Sequence, residues 1–370
     1  MLTSAGLLLG GASAITVGGN QEPNQELIPH NHPLIYYHGR WDAAPGSWWA
    51  GSGFKLHVEN LQSLALNLGN HTTTPQASLG VSIDYHAFQT VNVSAGSNII
   101  FTRNDFGKER TSVVRINAEG WQNNRVNLES VVLNRGARLL PYTPSRLTFQ
   151  FIGDSLSAGQ YLPSGVDQAW PFLTSEYFKA EYRVNAQPGA TLTDMVSYGN
   201  VHGMSFQFFK TEDTGFYYTS DHNFTTDWDF RRDVPTATHV VIHIGANDAS
   251  TANNVPQDAF IQTYLDFLAH IRRLYPNKPI FIFTPWGWPS ADGTVSYYYP
   301  GAYEKIVNTR HTLGDKEVFL VDTTGWVTWH DVFPDNIHPN VPGHAKIAGL
   351  FAEWLETWGL HPEAHWSTTV

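Results

Sequence analysis

The stretch Phe149-Gln150-Phe151-Ile152-Gly153-Asp154-Ser155-Leu156-Ser157 decides how the second half of this chain is read. Phe149, Phe151 and Ile152 form a short apolar run of the kind found in strands buried on both faces. The run stops at a glycine, where the backbone can turn without a Cβ penalty. Ser155 then falls just beyond the carboxyl end of a strand, where open α/β sheets carry their chemistry. A serine hydroxyl alone is a weak nucleophile. It requires a histidine base, a group that orients the base, and donors for an oxyanion.

Outward from this stretch, apolar runs alternate with amphipathic ones. Strands are expected at 147–152, 183–185, 239–244, 279–283 and 318–322, and helices at 170–180, 258–274, 302–312 and 342–355. In the second helix Phe260, Tyr264, Phe267, Leu268, Ile271 and Leu274 share one face at helical spacing. Such alternation predicts a parallel sheet covered by helices, a flavodoxin-like α/β domain over 146–360. Residues 198–235 fit no element. A long aromatic, Asp- and Gly-rich stretch of this kind is either a wall of the site or a surface insertion.

Before 146 the period changes. Short strands are expected at 34–37, 54–58, 64–68, 79–85, 97–101, 112–116 and 126–133, with Gly, Asn and Pro between them, which predicts a β-sandwich (jelly-roll) domain over 30–140. Gly136, Pro141 and Pro144 mark the boundary.

The 370 residues carry 22 Lys plus Arg against 33 Asp plus Glu, and a net charge of −11 disfavours nucleic acid as a partner. No cysteine is present, which excludes disulfides and thiol chemistry. Residues 1–14 read as a secretory signal with an A-x-A-like end, although no Lys or Arg precedes the apolar segment. Sequons at Asn70, Asn92 and Asn223 agree with a secreted protein. No later run is long enough to span a bilayer, so a soluble mature protein with no membrane partner is expected. A monomer is expected as well.

Four signals follow predicted strands of the second domain. Ser155 is the candidate nucleophile. Gly189, in Asn185-Ala186-Gln187-Pro188-Gly189-Ala190, offers a bare backbone N–H, and Asn247, in Gly245-Ala246-Asn247-Asp248, a side-chain amide. His338, in Asp335-Asn336-Ile337-His338, is the candidate base, with Asp335 the candidate carboxylate that orients it. His338 would take the Ser155 proton and return it to the leaving alcohol, while the N–H groups of Ser155 and Gly189 and the Asn247 amide would meet the oxyanion. Neither metal nor cofactor is required. Trp286 and Trp288, in a Gly/Pro-rich loop after the fourth strand, are candidates to line an acyl or sugar pocket. Asp154, Asp248, His243 and His344 read as structural, and Asp331 has the wrong spacing to serve His338.

In this order, Gly-Asp-Ser-Leu, the lone glycine, Gly-x-Asn-Asp and Asp-x-x-His resemble the four blocks of the SGNH (GDSL-type) hydrolase superfamily. With a sandwich in front, and with Gly39-Arg40-Trp41 and Trp49-Ala50-Gly51-Ser52, the chain is similar to carbohydrate esterase family 2. That resemblance implies removal of acetyl groups from acetylated polysaccharides or oligosaccharides such as xylan or glucomannan. Some members of that family lack the acidic partner; Asp335 leads here to the expectation of a triad. A general lipase or acyl esterase, and a glycan-binding protein with a vestigial site, are the other readings.

Overall fold

The computed structural model describes residues 25–47, 49–103, 110–121, 123–212 and 226–370. The segment 1–14 and Asn223 lie outside them.

The amino-terminal part is two antiparallel sheets. One has the order β1 (Gln25–Pro29), β10 (Val126–Asn134), β5 (Ser63–Leu68), β8 (Gly96–Thr102), with β3 (Gly46–Ser47) also on β10. The other runs β11 (Arg138–Leu140), β4 (Gly53–Glu59), β9 (Thr111–Ala118), β6 (Ala77–Ile83), β7 (Gln89–Val93), with β2 (Tyr36–His38) also on β4. Alternation in β5 sends Leu64, Leu66 and Leu68 inward, where they meet Phe54, Leu56, Val114, Ile116 and Leu128 in one core.

From β12 (Thr148–Asp154) the strands run parallel. With β13 (Glu181–Gln187), β14 (His239–His243), β15 (Ile280–Phe283) and β18 (Val318–Val321) they form a sheet of order β13-β12-β14-β15-β18. A small hairpin, β16 (Trp288–Pro289) with β17 (Val295–Ser296), follows β15. The central strands β12, β14 and β15 are buried along their length because both faces of the sheet are covered, whereas edge strand β13 alternates Glu181, Arg183, Asn185 and Gln187 with apolar residues. On one face α2 (Trp170–Phe178) and α6 (Val341–Trp358) bury Phe172, Phe178, Ile347 and Phe351. On the other, α4 (Gln257–Leu274) and α5 (Ala302–Thr312) bury Phe260, Tyr264, Phe267, Tyr303 and Ile306. The strand order reverses at β12, which lies between β13 and β14, and an open α/β sheet leaves its crevice at that point.

Gly153 corrects one expectation. It does not turn the chain, because β12 continues through Asp154. A Cβ there would stand 2.8 Å from the His243 carbonyl oxygen and 2.5 Å from Ser157 Oγ, so glycine is required for close strand packing.

The segment after β13 holds the two parts of the molecule together. The Arg40 guanidinium donates to the Lys210 carbonyl (2.6 Å) and lies over the rings of Trp49, Phe208, Trp228 and Phe230, while Trp49 Nε1 donates to the Thr211 carbonyl (2.9 Å). The short helix α3 (Met204–Gln207) lies in the same segment. Lys55 of β4 pairs with Glu181 of β13 at 2.5 Å, both buried. The described residues at 208–211 and 228–230 of the expected irregular stretch therefore pack against the amino-terminal part, and Tyr198 reaches the cavity described next.

Candidate active site

Asp154 ends β12 and caps α1 (Ser155–Ala158), its carboxylate accepting from Leu156 N–H at 3.0 Å. Burial pushes this carboxyl up to about 7. Ser155 is the first residue of α1, so its N–H has no partner within the helix. Its hydroxyl lies 2.9 Å from Nε2 of His338.

The residue that orients His338 is not the expected one. Nδ1 of His338 donates to the backbone carbonyl of Asn336 at 3.0 Å, and the His338 N–H donates to the Asn336 side-chain oxygen, also at 3.0 Å. Asp335 is exposed, and its carboxylate makes no hydrogen bond or ion pair with another described residue. Asn336 closes an Asx turn onto residue 338, which brings its own carbonyl under the imidazole and leaves the Asp335 side chain outside. Ile337, between them, has φ +60°, a left-handed backbone that a β-branched residue rarely adopts. The site is thus a Ser–His dyad steered by a carbonyl. Because a carbonyl can only accept, the proton sits on Nδ1 and the lone pair of Nε2 is directed toward Ser155. Burial lowers the His338 pKa below its usual 6.5, and the Asn336 carbonyl opposes this in part.

Gly189 and Asn247 line the same cavity as Ser155 and His338. Gly189 has φ +79°, and a Cβ there would stand 2.5 Å from Cβ of Tyr198, so the position accepts only glycine. Its N–H makes no hydrogen bond with a described residue. One Asn247 N–H donates to the Ala190 carbonyl at 2.9 Å, leaving the second available to a ligand. Asp248 accepts from the N–H groups of Leu192 and Thr193 at 2.7 and 2.9 Å, bracing the loop that presents Gly189.

The two tryptophans separate. Trp288 lines the cavity with its ring centre 6.1 Å from that of His338. Trp286 is 2% exposed and stacks on His243 at 3.8 Å in the core, and it is not among the residues that line this cavity. Gly287, with φ +78°, turns the chain between them, so Trp288 at the start of β16 points the other way, and the Gly/Pro content that suggested both does not separate them. His243 is a core residue as expected, but neither ring nitrogen has a partner, and burial drives it down to about 3. His344 accepts from Trp170 N–H inside the core, and Asp331 pairs with Lys346.

The cavity encloses about 600 Å³. Its remaining walls include Trp121, Tyr161, Tyr198, Tyr297 and Tyr298, with Gln160, Ser250 and Ser296. Trp121 comes from the sandwich, in the loop between β9 and β10, so both parts of the molecule build the cavity. It too is an indole in a Gly/Asn-rich loop, the same signal that singled out Trp288. Among the described residues no group of three or more His, Asp and Glu side chains is placed to hold a metal ion. None of the described helices is long and apolar enough to cross a membrane.

Comparison with known proteins places this geometry. The whole chain is similar in structure to a family two carbohydrate esterase from Cellvibrio japonicus, with 17% identity, a TM-score of 0.69, and coverage of 90% of this chain and 97% of that one. An acetyl xylan esterase from the rumen bacterium Butyrivibrio proteoclasticus gives 15% identity, a TM-score of 0.70, and 90% and 98% coverage. A salicylyl-acyltransferase from a tetracycline biosynthetic pathway gives 16% identity, a TM-score of 0.67, and 92% and 99% coverage, so the shared architecture accompanies more than one acyl chemistry. No curated protein matches the sequence. Residues 151–346, which include Ser155, Gly189, Asn247 and His338, match the GDSL-like lipase/acylhydrolase family, and the chain belongs to that family.

Proposed function

We propose that this protein is a secreted serine esterase that removes acetyl or other small acyl groups from acetylated carbohydrates. The observation that carries the reading is the 2.9 Å contact of Ser155 Oγ with His338 Nε2 in a cavity that Gly189 and Asn247 also line. Ser155 attacks the ester carbonyl while His338 takes its proton. The negative charge that develops on the carbonyl oxygen is met by the N–H groups of Ser155 and Gly189 and by the Asn247 amide. His338 then protonates the departing sugar alcohol, an acyl group remains on Ser155, and water activated by the same imidazole releases it.

The choice of a sugar rests on the walls. Flat rings at Trp121, Tyr198 and Trp288 suit the C–H faces of pyranoses, and Gln160, Ser250 and Ser296 offer hydroxyl partners. A long acyl chain would meet these polar groups. The exposed side chains of Asn70 and Asn92 leave both sequons open to glycosylation, in keeping with secretion. The test is acetate release from acetylated xylan and glucomannan by wild type and Ser155→Ala side by side. Serine-dependent release supports the reading. Turnover of long-chain esters alone would move the protein to the lipases, and glycan binding without any turnover would make it a binding protein.

A further inference from the structure

Apart from the Ser155 hydroxyl that it serves, the imidazole is held among the described residues by one hydrogen bond, to the Asn336 carbonyl, about which the ring can tilt. A second contact limits it. The ring of Tyr161 stands nearly perpendicular to that of His338, at an interplanar angle of 81° with centres 5.0 Å apart. Tyr161 has φ +70°, a conformation costly for an aromatic residue, and it is 49% exposed, so burial in the core does not offset that cost. Its hydroxyl makes no hydrogen bond with a described residue. The turn that carries it is tied to the nucleophile, because the Ser155 carbonyl accepts from the N–H groups of Gly159 and Gln160.

We propose that Tyr161 is a positioning residue for His338, its ring fixing the imidazole plane that the Asn336 carbonyl alone leaves free. The inference rests on the dyad mechanism above and adds to it a residue that acts through the base.

The test uses Tyr161→Phe, Tyr161→Ala and Tyr161→Gly with two esters, 4-nitrophenyl acetate and acetylated xylo-oligosaccharide. Tyr161→Phe keeps the ring and should stay within about twofold of wild type. Tyr161→Ala and Tyr161→Gly should lose about 10- to 100-fold in kcat on both esters with KM little changed, the size of effect that small misplacements produce. Glycine suits φ +70°, so Tyr161→Gly should melt no lower than Tyr161→Ala, which separates loss of activity from loss of fold. A rise in KM on the oligosaccharide alone, or a phenylalanine variant as poor as alanine, would overturn the proposal.

A readout independent of turnover is NMR titration of the His338 imidazole. The groups facing that ring are the Ser155 hydroxyl, the Asn336 carbonyl, Tyr161, Trp288 and, behind it, His344, which burial holds neutral down to about 3. With the Tyr161 ring removed, water reaches the imidazole and its midpoint should rise toward 6.5. An unmoved midpoint would count against positioning. Absence of ester turnover in the wild type would strike the proposed function, and the titration would still decide the role of Tyr161.

Discussion

Ser155 and His338 stand 2.9 Å apart, yet the backbone that carries the serine is regular and the backbone that carries the histidine is not. On the serine side a fully buried strand runs into a helical turn capped by Asp154. On the histidine side residues 333–338 form a knot. The Phe333 N–H donates to the His338 carbonyl, the Ile337 N–H to the Phe333 carbonyl, and the Asn336 side chain ties down His338. Regular backbone lets the identity of a side chain dictate its role. In the knot a main-chain carbonyl does what a carboxylate was expected to do, and any residue type possesses one.

The largest effect should come from the regular side. Ser155→Ala is expected to lower kcat at least about 10⁴-fold on 4-nitrophenyl acetate, with an unchanged melting temperature, because the nucleophile and its partner fail as a unit. A variant retaining a tenth of wild-type activity would remove Ser155 from the chemistry and the comparison with it.

Next in size is Asn247→Ala, in the turn after β14, which should cost about 10²- to 10³-fold in kcat. The amide also holds the Ala190 carbonyl, so a loss of about 1 kcal/mol of stability should accompany it. Unfolding and kinetics measured on the same preparation separate the two. Loss of stability with kcat intact would reduce Asn247 to a loop brace.

The same contrast governs what could be read in the sequence. Parallel strands, their covering helices and the serine, glycine and asparagine positions were legible because apolar periodicity fixes regular elements, and a residue just after a strand has few places to go. Strands β1, β3, β7 and β11 were not anticipated. β3 is two residues long, and in β7 only Val93 is fully buried, so neither carries much of an apolar signal. Trp286 and Trp288 lie on either side of Gly287, whose positive φ turns the chain before β16, so no period relates them, and one faces the core while the other faces the cavity. Asn336 did leave a signal in its own tendency to bond the backbone two residues on. The Asp-x-x-His spacing outweighed it, although spacing alone says nothing about which group faces Nδ1.

The histidine side can be sharpened by Asn336→Ala, which keeps the carbonyl but removes the side-chain acceptor for the His338 N–H. A loss of about tenfold in kcat is expected, within the range that small misplacements of a catalytic group produce. Asn336→Asp retains an acceptor oxygen and should recover most of it. Equal losses in the two variants would mean that the turn, and not its hydrogen bond, holds the imidazole.

The smallest effect is the most informative. Asp335→Asn should leave kcat within about twofold of wild type, whereas a triad aspartate replaced in this way costs on the order of 10⁴-fold. The pH profile supplies an independent sign. The base works as neutral imidazole, and burial holds the His338 pKa below its usual 6.5, so kcat/KM should still be on its plateau at that pH and fall only as pH drops through the lowered value. A carboxylate hydrogen-bonded to Nδ1 would raise the pKa, and removing it would carry the acid limb to lower pH. With Asn336 in that place, the acid limb of Asp335→Asn should coincide with that of wild type. A downward shift together with a large fall in kcat would restore the triad, and would show that the loop closes onto Asp335 during turnover.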